Sequence, residues 1–244
     1  MRSLLLAPAG DSARLKAAFQ CGADAVVIDL CVVEEAREAA RAAAARMLAQ
    51  AQERQDAPAL MVRVHPLGDG ETDLDLEAVM AHAPVAIVLP RALGAPSVQH
   101  LSAKLAVREA QLGLEDGATR IVAVADMAEG VLRLPSLAGA SARLVGIAWD
   151  AEALRGEVGV ENVRDASGDY VGPLRLARDM TLLAAAAAGV AAIDAAFAAL
   201  GDAKGLSAEA HAARRDGFAA KFALDAAQAG TINVAFAARR TSAG

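Results

Sequence analysis

Apolar residues along this chain gather into short, nearly continuous runs set between longer alanine-rich and amphipathic stretches. The runs are Ser3–Pro8, Ala25–Leu30, Ala59–His65, Pro84–Pro90, Arg120–Asp126, Leu144–Trp149, Val190–Phe197 and Phe218–Leu224. Short apolar runs without strict alternation are expected of parallel strands buried on both faces. The intervening stretches read as helices. Asp11-Ser12 forms an N-cap signal before a helix over Ala13–Gln20, and Gly22 closes it. Glu34–Gln52 predicts a long helix, and Pro96 suits the first turn of another that reaches Gln111.

Strands alternating with helices in this number predict an α/β fold, a single (β/α)8 TIM barrel forming one domain over residues 1–244. The rival is a doubly wound open sheet, which often begins with a glycine-rich turn. Pro8-Ala9-Gly10-Asp11 is not such a turn. The longest irregular stretch, Arg155–Pro173, follows the sixth strand. In a barrel such a loop covers or builds the site, or is a surface insertion.

Composition narrows the function classes. Hydrophobic residues make up 55% of the chain and aromatics only 3%, so Ala, Leu and Val must fill the core. The net charge of -6 offers nothing to a phosphate backbone, which argues against nucleic acid as a partner. The cysteines, Cys21 and Cys31, form no CxxC pair or Cys/His cluster, so a structural zinc site is not expected. The N-terminal apolar run is too short for a signal peptide, and no run is long enough to span a bilayer. The expectation is a cytoplasmic protein without membrane contact.

Chemistry in a (β/α)8 barrel sits at the C-terminal ends of the strands. Asp29 stands at such an end, followed by the apolar Cys31, Val32 and Val33. Arg63 ends another apolar run, where a charge needs a reason: it faces a site, or it forms an ion pair inside the mouth. Asp29 has two readings as well, a contact to Arg63 or a water-bound metal, or a buried capping carboxylate. Alternation places His65 on the same face as Arg63. It reads as a general base or as a hydrogen-bonded loop histidine before Pro66. His82, His100 and His211 read as solvated. Cys31 lacks a visible base, so a small apolar filler competes with a nucleophile. Lys221 reads as a Schiff-base lysine or as a buried cation paired with a carboxylate such as Asp194. Trp149 is expected to pack under the loop that follows it. Ser167-Gly168-Asp169 lacks a nucleophile-elbow context.

Seven segments in order carry a family resemblance: P-A-G-D-S-A-R-L (8–15), G-A-D-A-V-V-I-D-L (22–30), V-R-V-H-P-L-G (62–68), I-V-L-P-R (87–91), A-E-G-V-L (128–132), A-W-D-A-E-A-L (148–154) and K-F-A-L-D-A-A-Q (221–228). The chain resembles the citrate lyase β-subunit-like proteins of the HpcH/HpaI aldolase superfamily. The resemblance implies a (β/α)8 barrel, assembled as a homo-oligomer, a trimer or hexamer. It implies Mg2+-dependent cleavage or formation of a carbon–carbon bond in a small carboxylic acid or its CoA thioester. It assigns the substrate carboxylate to Arg63, the polar network to Asp29, and the metal to Asp126 helped by Glu152.

The chain also departs from the family pattern. Cys31 and Val32 replace an acidic pair, and Asp126 stands for a longer Glu. Ala153 replaces the second metal-binding Asp, Leu93 a Glu, Arg91 a Lys, and Asp225-Ala226 a His-Pro pair. Asp150 stands where the family has Gly, as a relocated ligand or as a cap of the following turn beside Glu152. The alternative function is therefore a catalytically impaired barrel, a pseudoenzyme that binds a ligand or partner.

Overall fold

A computed structural model describes residues 1–54 and 56–237. Its strands are β1 (Ser3–Pro8), β2 (Ala25–Asp29), β3 (Ala59–Arg63), β4 (Ala86–Leu89), β5 (Arg120–Ala125), β6 (Leu144–Trp149), β7 (Ala191–Asp194) and β8 (Ala220–Ala223). They form one closed parallel barrel in sequence order. Closure comes from β8 pairing with β1, where Ser3 lies opposite Lys221. The predicted (β/α)8 barrel is thus the observed architecture. The predicted runs for β2, β3, β4, β5, β7 and β8 extended one to three residues too far, because residues flanking a strand still cover the barrel rim. The predicted domain ran to residue 244, and residues 238–244 lie outside the described residues.

The helices are α1 (Ser12–Ala18), α2 (Arg37–Gln52), α3 (Glu71–Val79), α4 (Ala95–Leu112), α5 (Ala128–Arg133), α6 (Ala151–Val158), α7 (Gly172–Ala188), α8 (Ala203–Asp216) and α9 (Ala226–Ala237). Asp11 caps α1 by accepting from the amides of Ala13 and Arg14. Glu34–Ala36 form a 3-10 turn ahead of α2, not the first turn of one long helix. Arg155 belongs to α6, so the irregular stretch is shorter than expected, from 159 to 171. Among the described residues, no helix is long and apolar enough to cross a membrane.

Strand alternation splits the core in two. Val26 and Ile28 of β2 face the helices. Ala25 and Val27 face the barrel axis with Met61, Val88, Val124, Ala148 and Phe222. Small residues on some strands and large ones on others let the inner layers interdigitate. This parity decides the site: a residue two positions beyond an axis-facing one emerges at the mouth.

Candidate active site at the barrel mouth

Asp29 follows Val27 by two residues, Arg63 follows Met61, Asp126 follows Val124, and Asp150 follows Ala148. All four therefore rise from the axis-facing side at the C-terminal ends of β2, β3, β5 and β6. Asp29 and Arg63 are register partners across β2 and β3. Arg63 Nη1 donates to Asp29 Oδ2 at 3.1 Å. The other Asp29 oxygen accepts from the Cys31 amide at 2.9 Å. Asp29 thus both caps the strand end and holds the arginine, which joins its two readings. Burial works against the Arg63 charge, but its acidic neighbours, Asp29 foremost and Asp126 with it, together hold the guanidinium above its ordinary pKa. Among the described residues only one guanidinium nitrogen is occupied, and the side chain keeps 24% exposure, so the rest of its planar fork is open to the mouth.

Asp126 is buried, with 7% exposure. Its Oδ1 accepts the Arg91 backbone amide at 2.7 Å. Burial pushes its carboxyl up to about 6, against the opposing pull of the Arg91 amide and Arg63, and Asp150 adds to the rise. The register brings Ala125 beside Trp149, and the Asp150 amide donates to the Ala125 carbonyl. Asp126 and Asp150 consequently stand on adjacent strands, next to each other on one face. Asp150 also caps α6 through Oδ1, which accepts from Glu152 and Ala153 amides at 3.0 and 3.1 Å. One oxygen of each carboxylate carries no hydrogen bond from the described residues.

Glu152 is placed differently. Its carboxylate pairs with Arg155 at 2.9 Å, is half exposed, and borders a cleft lined by the segments after β6 and β7. The structure therefore brings Arg63, Asp29, Asp126 and Asp150 together and sets Glu152 apart. Among the described residues, no group of three or more His, Cys, Asp or Glu side chains could hold a metal ion. Mg2+ is commonly held by one or two carboxylates with waters and substrate completing its shell. Asp126 and Asp150, each with a spare oxygen, fit that minimal donor set.

His65 turns away from Arg63, against the expected alternation. The strand ends at Arg63, so its two-residue period no longer applies. The His65 amide and Nδ1 both meet Asp75 Oδ2 of α3, at 2.7 and 2.8 Å, and the residue is buried. It is a hydrogen-bonded loop histidine. Burial pushes the Cys31 thiol up to about 12 despite the nearby Arg63, and Sγ lies 3.1 Å from the Val64 carbonyl. A thiol held protonated is a poor nucleophile, which supports the filler reading.

A second charged cluster lies outside the barrel, between the sheet and α7–α8. Lys221 is fully buried and donates to Asp194 at 2.8 Å, to Glu209 at 2.5 Å and to the Ala195 carbonyl at 2.5 Å. Asp194 also accepts from Trp149 Nε1 at 2.9 Å. Tyr170 meets the Trp149 ring edge-on at 5.0 Å, so the loop after α6 does cover this tryptophan. Arg164 ties that loop to Glu209. Sequence reasoning found Asp194 but missed Glu209, because helix spacing gives no sign of which remote strand a face will meet. It also missed the Arg91 amide, since any residue carries one. A cleft of about 780 Å3 opens beside this cluster, lined by Glu152, Arg164, Tyr170, Phe197 and the exposed face of α8.

The model of the family described as HpcH/HpaI aldolase/citrate lyase matches residues 2–226. The citrate lyase subunit beta of Leuconostoc mesenteroides subsp. cremoris is 29% identical over 239 residues, covering 97% of this chain and 76% of that protein. Among solved structures, the CitE protein of Mycobacterium tuberculosis in complex with magnesium, acetoacetate and coenzyme A superposes with a TM-score of 0.80 at 28% identity, covering 98% of this chain and 82% of that one. The citrate lyase beta subunit of M. tuberculosis complexed with oxaloacetate and magnesium gives a TM-score of 0.79 at 29% identity, covering 96% of both chains.

Proposed function

This chain belongs to the HpcH/HpaI aldolase/citrate lyase family, and from there we propose that it is a Mg2+-assisted carbon–carbon lyase acting on a small carboxylic acid or its CoA thioester. The observation that carries this reading is the convergence of a half-free arginine with two carboxylates that each keep an open oxygen. Arg63 holds the substrate carboxylate in its fork while Asp29 keeps the guanidinium in place. Asp126 and Asp150 would hold the ion, with Glu152 outside the shell. When bound, Mg2+ supplies Lewis-acid polarisation of a substrate oxygen. Asp126, with its carboxyl near 6, can also carry a proton at working pH when no ion is present.

The CoA half of the proposal rests on the family and on the coenzyme A bound to the M. tuberculosis CitE protein. Assembly as a homo-oligomer and a cytoplasmic location belong to the same reading. A second reading, a barrel that binds a ligand without turnover, is favoured by one observation. Glu152 is spent on Arg155 and position 153 is an alanine, which leaves a donor set of two.

Calorimetric titration with Mg2+ and Mn2+, with and without oxaloacetate, glyoxylate and acetyl-CoA, tests these readings. Saturable binding lost in Asp126→Ala and Asp150→Ala but kept in Glu152→Ala supports the lyase and justifies a turnover screen. No binding at millimolar metal, with or without those ligands, sinks it and leaves the non-catalytic barrel.

A further inference from the structure

The main chain after β4 holds a conformation that its side chains disfavour. Arg91 has φ of 50°, in the left-handed region where a Cβ crowds the backbone. Strain of this kind persists only where neighbours over-determine it, and it concentrates at functional positions. Here the neighbours are identifiable. The Ala92 amide donates to the Val124 carbonyl at 3.2 Å, stitching the turn to β5. The Ala92 carbonyl lies so close to α5 that a Cβ on Gly130 would stand 2.7 Å from it. At the far end, a Cβ on Gly94 would meet Ser136 Oγ at 2.5 Å, and that hydroxyl accepts the Ala95 amide at 2.9 Å.

What the strained residue does is equally specific. Its amide, at 2.7 Å from Asp126 Oδ1, is the donor from another element that holds that oxygen. Its guanidinium takes no part, because Nε lies against Met127 Sδ at 3.1 Å on the exposed side.

We propose that the Pro90–Gly94 turn is a strained clamp that fixes one oxygen of Asp126 and presents the other to the mouth. Gly130 is the positioning residue that lets the clamp close. The proposal rests on the mouth being the site, and it explains how the short side chain of Asp126 is kept in a single orientation. Position 130 must lack a Cβ because the turn cannot approach β5 and α5 otherwise.

The experiment combines amide hydrogen exchange, read by NMR at residue 91, with Mn2+ calorimetry on the full chain. In Asp126→Ala the residue 91 amide should exchange about tenfold faster or more, while the residue 92 amide stays protected. Gly130→Ala should speed exchange at residue 91 and weaken Mn2+ binding by about tenfold in the folded protein, whereas a merely structural glycine would change only the melting temperature. Arg91→Gly keeps the amide and the left-handed backbone, so its residue 91 amide should remain slow. Slow exchange at residue 91 in Asp126→Ala overturns the clamp, even if Gly130→Ala does not fold. Unchanged exchange and Mn2+ affinity in folded Gly130→Ala overturns it as well. Absence of Mn2+ binding in the parent chain would instead remove the metal reading of the mouth, leaving the exchange comparison to decide the clamp.

Discussion

The mouth and the buried cluster behind β7 and β8 are built from the same residue types, yet they differ in saturation. Lys221 has three acceptors and no exposure, and Asp194 is shared among Lys221, Trp149 and Arg178. Among the described residues the Lys221 ammonium is fully used, and Arg178 Nε, 3.5 Å from Asp194, is the cluster's one buried nitrogen without a hydrogen bond. At the mouth, among the described residues, Arg63 has one partner, and Asp126 and Asp150 each keep an oxygen without a hydrogen bond. Saturated charges hold elements together; charges with spare valence stay available for chemistry. In this chain the contrast separates fold from site more sharply than residue identity does.

The strongest way to break the comparison is to remove the cation of the saturated cluster. Lys221→Met takes the shared ammonium from Asp194 and Glu209, which keep only Arg178 and Arg164, and stability should fall by about 3–5 kcal/mol. Chemical denaturation measures this, and a loss under about 1 kcal/mol would mean that the cluster relaxes by taking in water.

The same kind of change at the mouth should affect binding more than folding. Arg63→Ala breaks one partly exposed pair, so stability should change by no more than about 1 kcal/mol. Oxaloacetate affinity should fall by about 10–100-fold, the cost of losing a charge-assisted fork. Equal oxaloacetate binding by parent and variant would take the arginine out of the site.

Asp126→Asn should stabilise the protein at pH 8. The folded carboxyl titrates near 6 rather than at its ordinary 3.8, so the folded chain binds protons more tightly than the unfolded one between those values. Stability therefore falls as pH rises through that window, and the penalty is complete above it. The variant carries no such penalty, so it should gain about 1–3 kcal/mol at pH 8 and lose the advantage by about pH 4. Melting curves across pH decide this. An advantage that stays constant with pH would contradict it.

Two smaller effects sharpen the distinction between neighbours on α6. Asp150→Ala removes the helix cap and should cost about 1 kcal/mol, together with a drop in Mn2+ affinity. Glu152→Ala removes only an exposed pair with Arg155, worth less than about 0.5 kcal/mol, and should leave Mn2+ binding intact. A reversal of the two metal results would return Glu152 to the site.

Much of the fold was legible in the order of residues. The apolar runs located every strand, and their alternation with helices implied the barrel, because hydrophobic periodicity is a local property that burial on two faces imposes on each strand. Residues at the strand ends were legible for the same reason: Asp29 and Arg63 emerged together because parallel register put them opposite each other. Past the strand ends that local rule stopped. His65 turned to Asp75, ten residues away on α3, once the strand no longer fixed its face. Glu152 and Asp150, two residues apart, went to the surface and to the mouth because one lies on a helix and the other completes a strand's parity. Glu209 met Lys221, and the Arg91 amide met Asp126, across separations that no spacing encodes. Local residue order alone set where the backbone runs and which face each strand buries. Only the closed barrel decided which charges are saturated, since partners drawn from distant strands become neighbours only when the sheet curls shut.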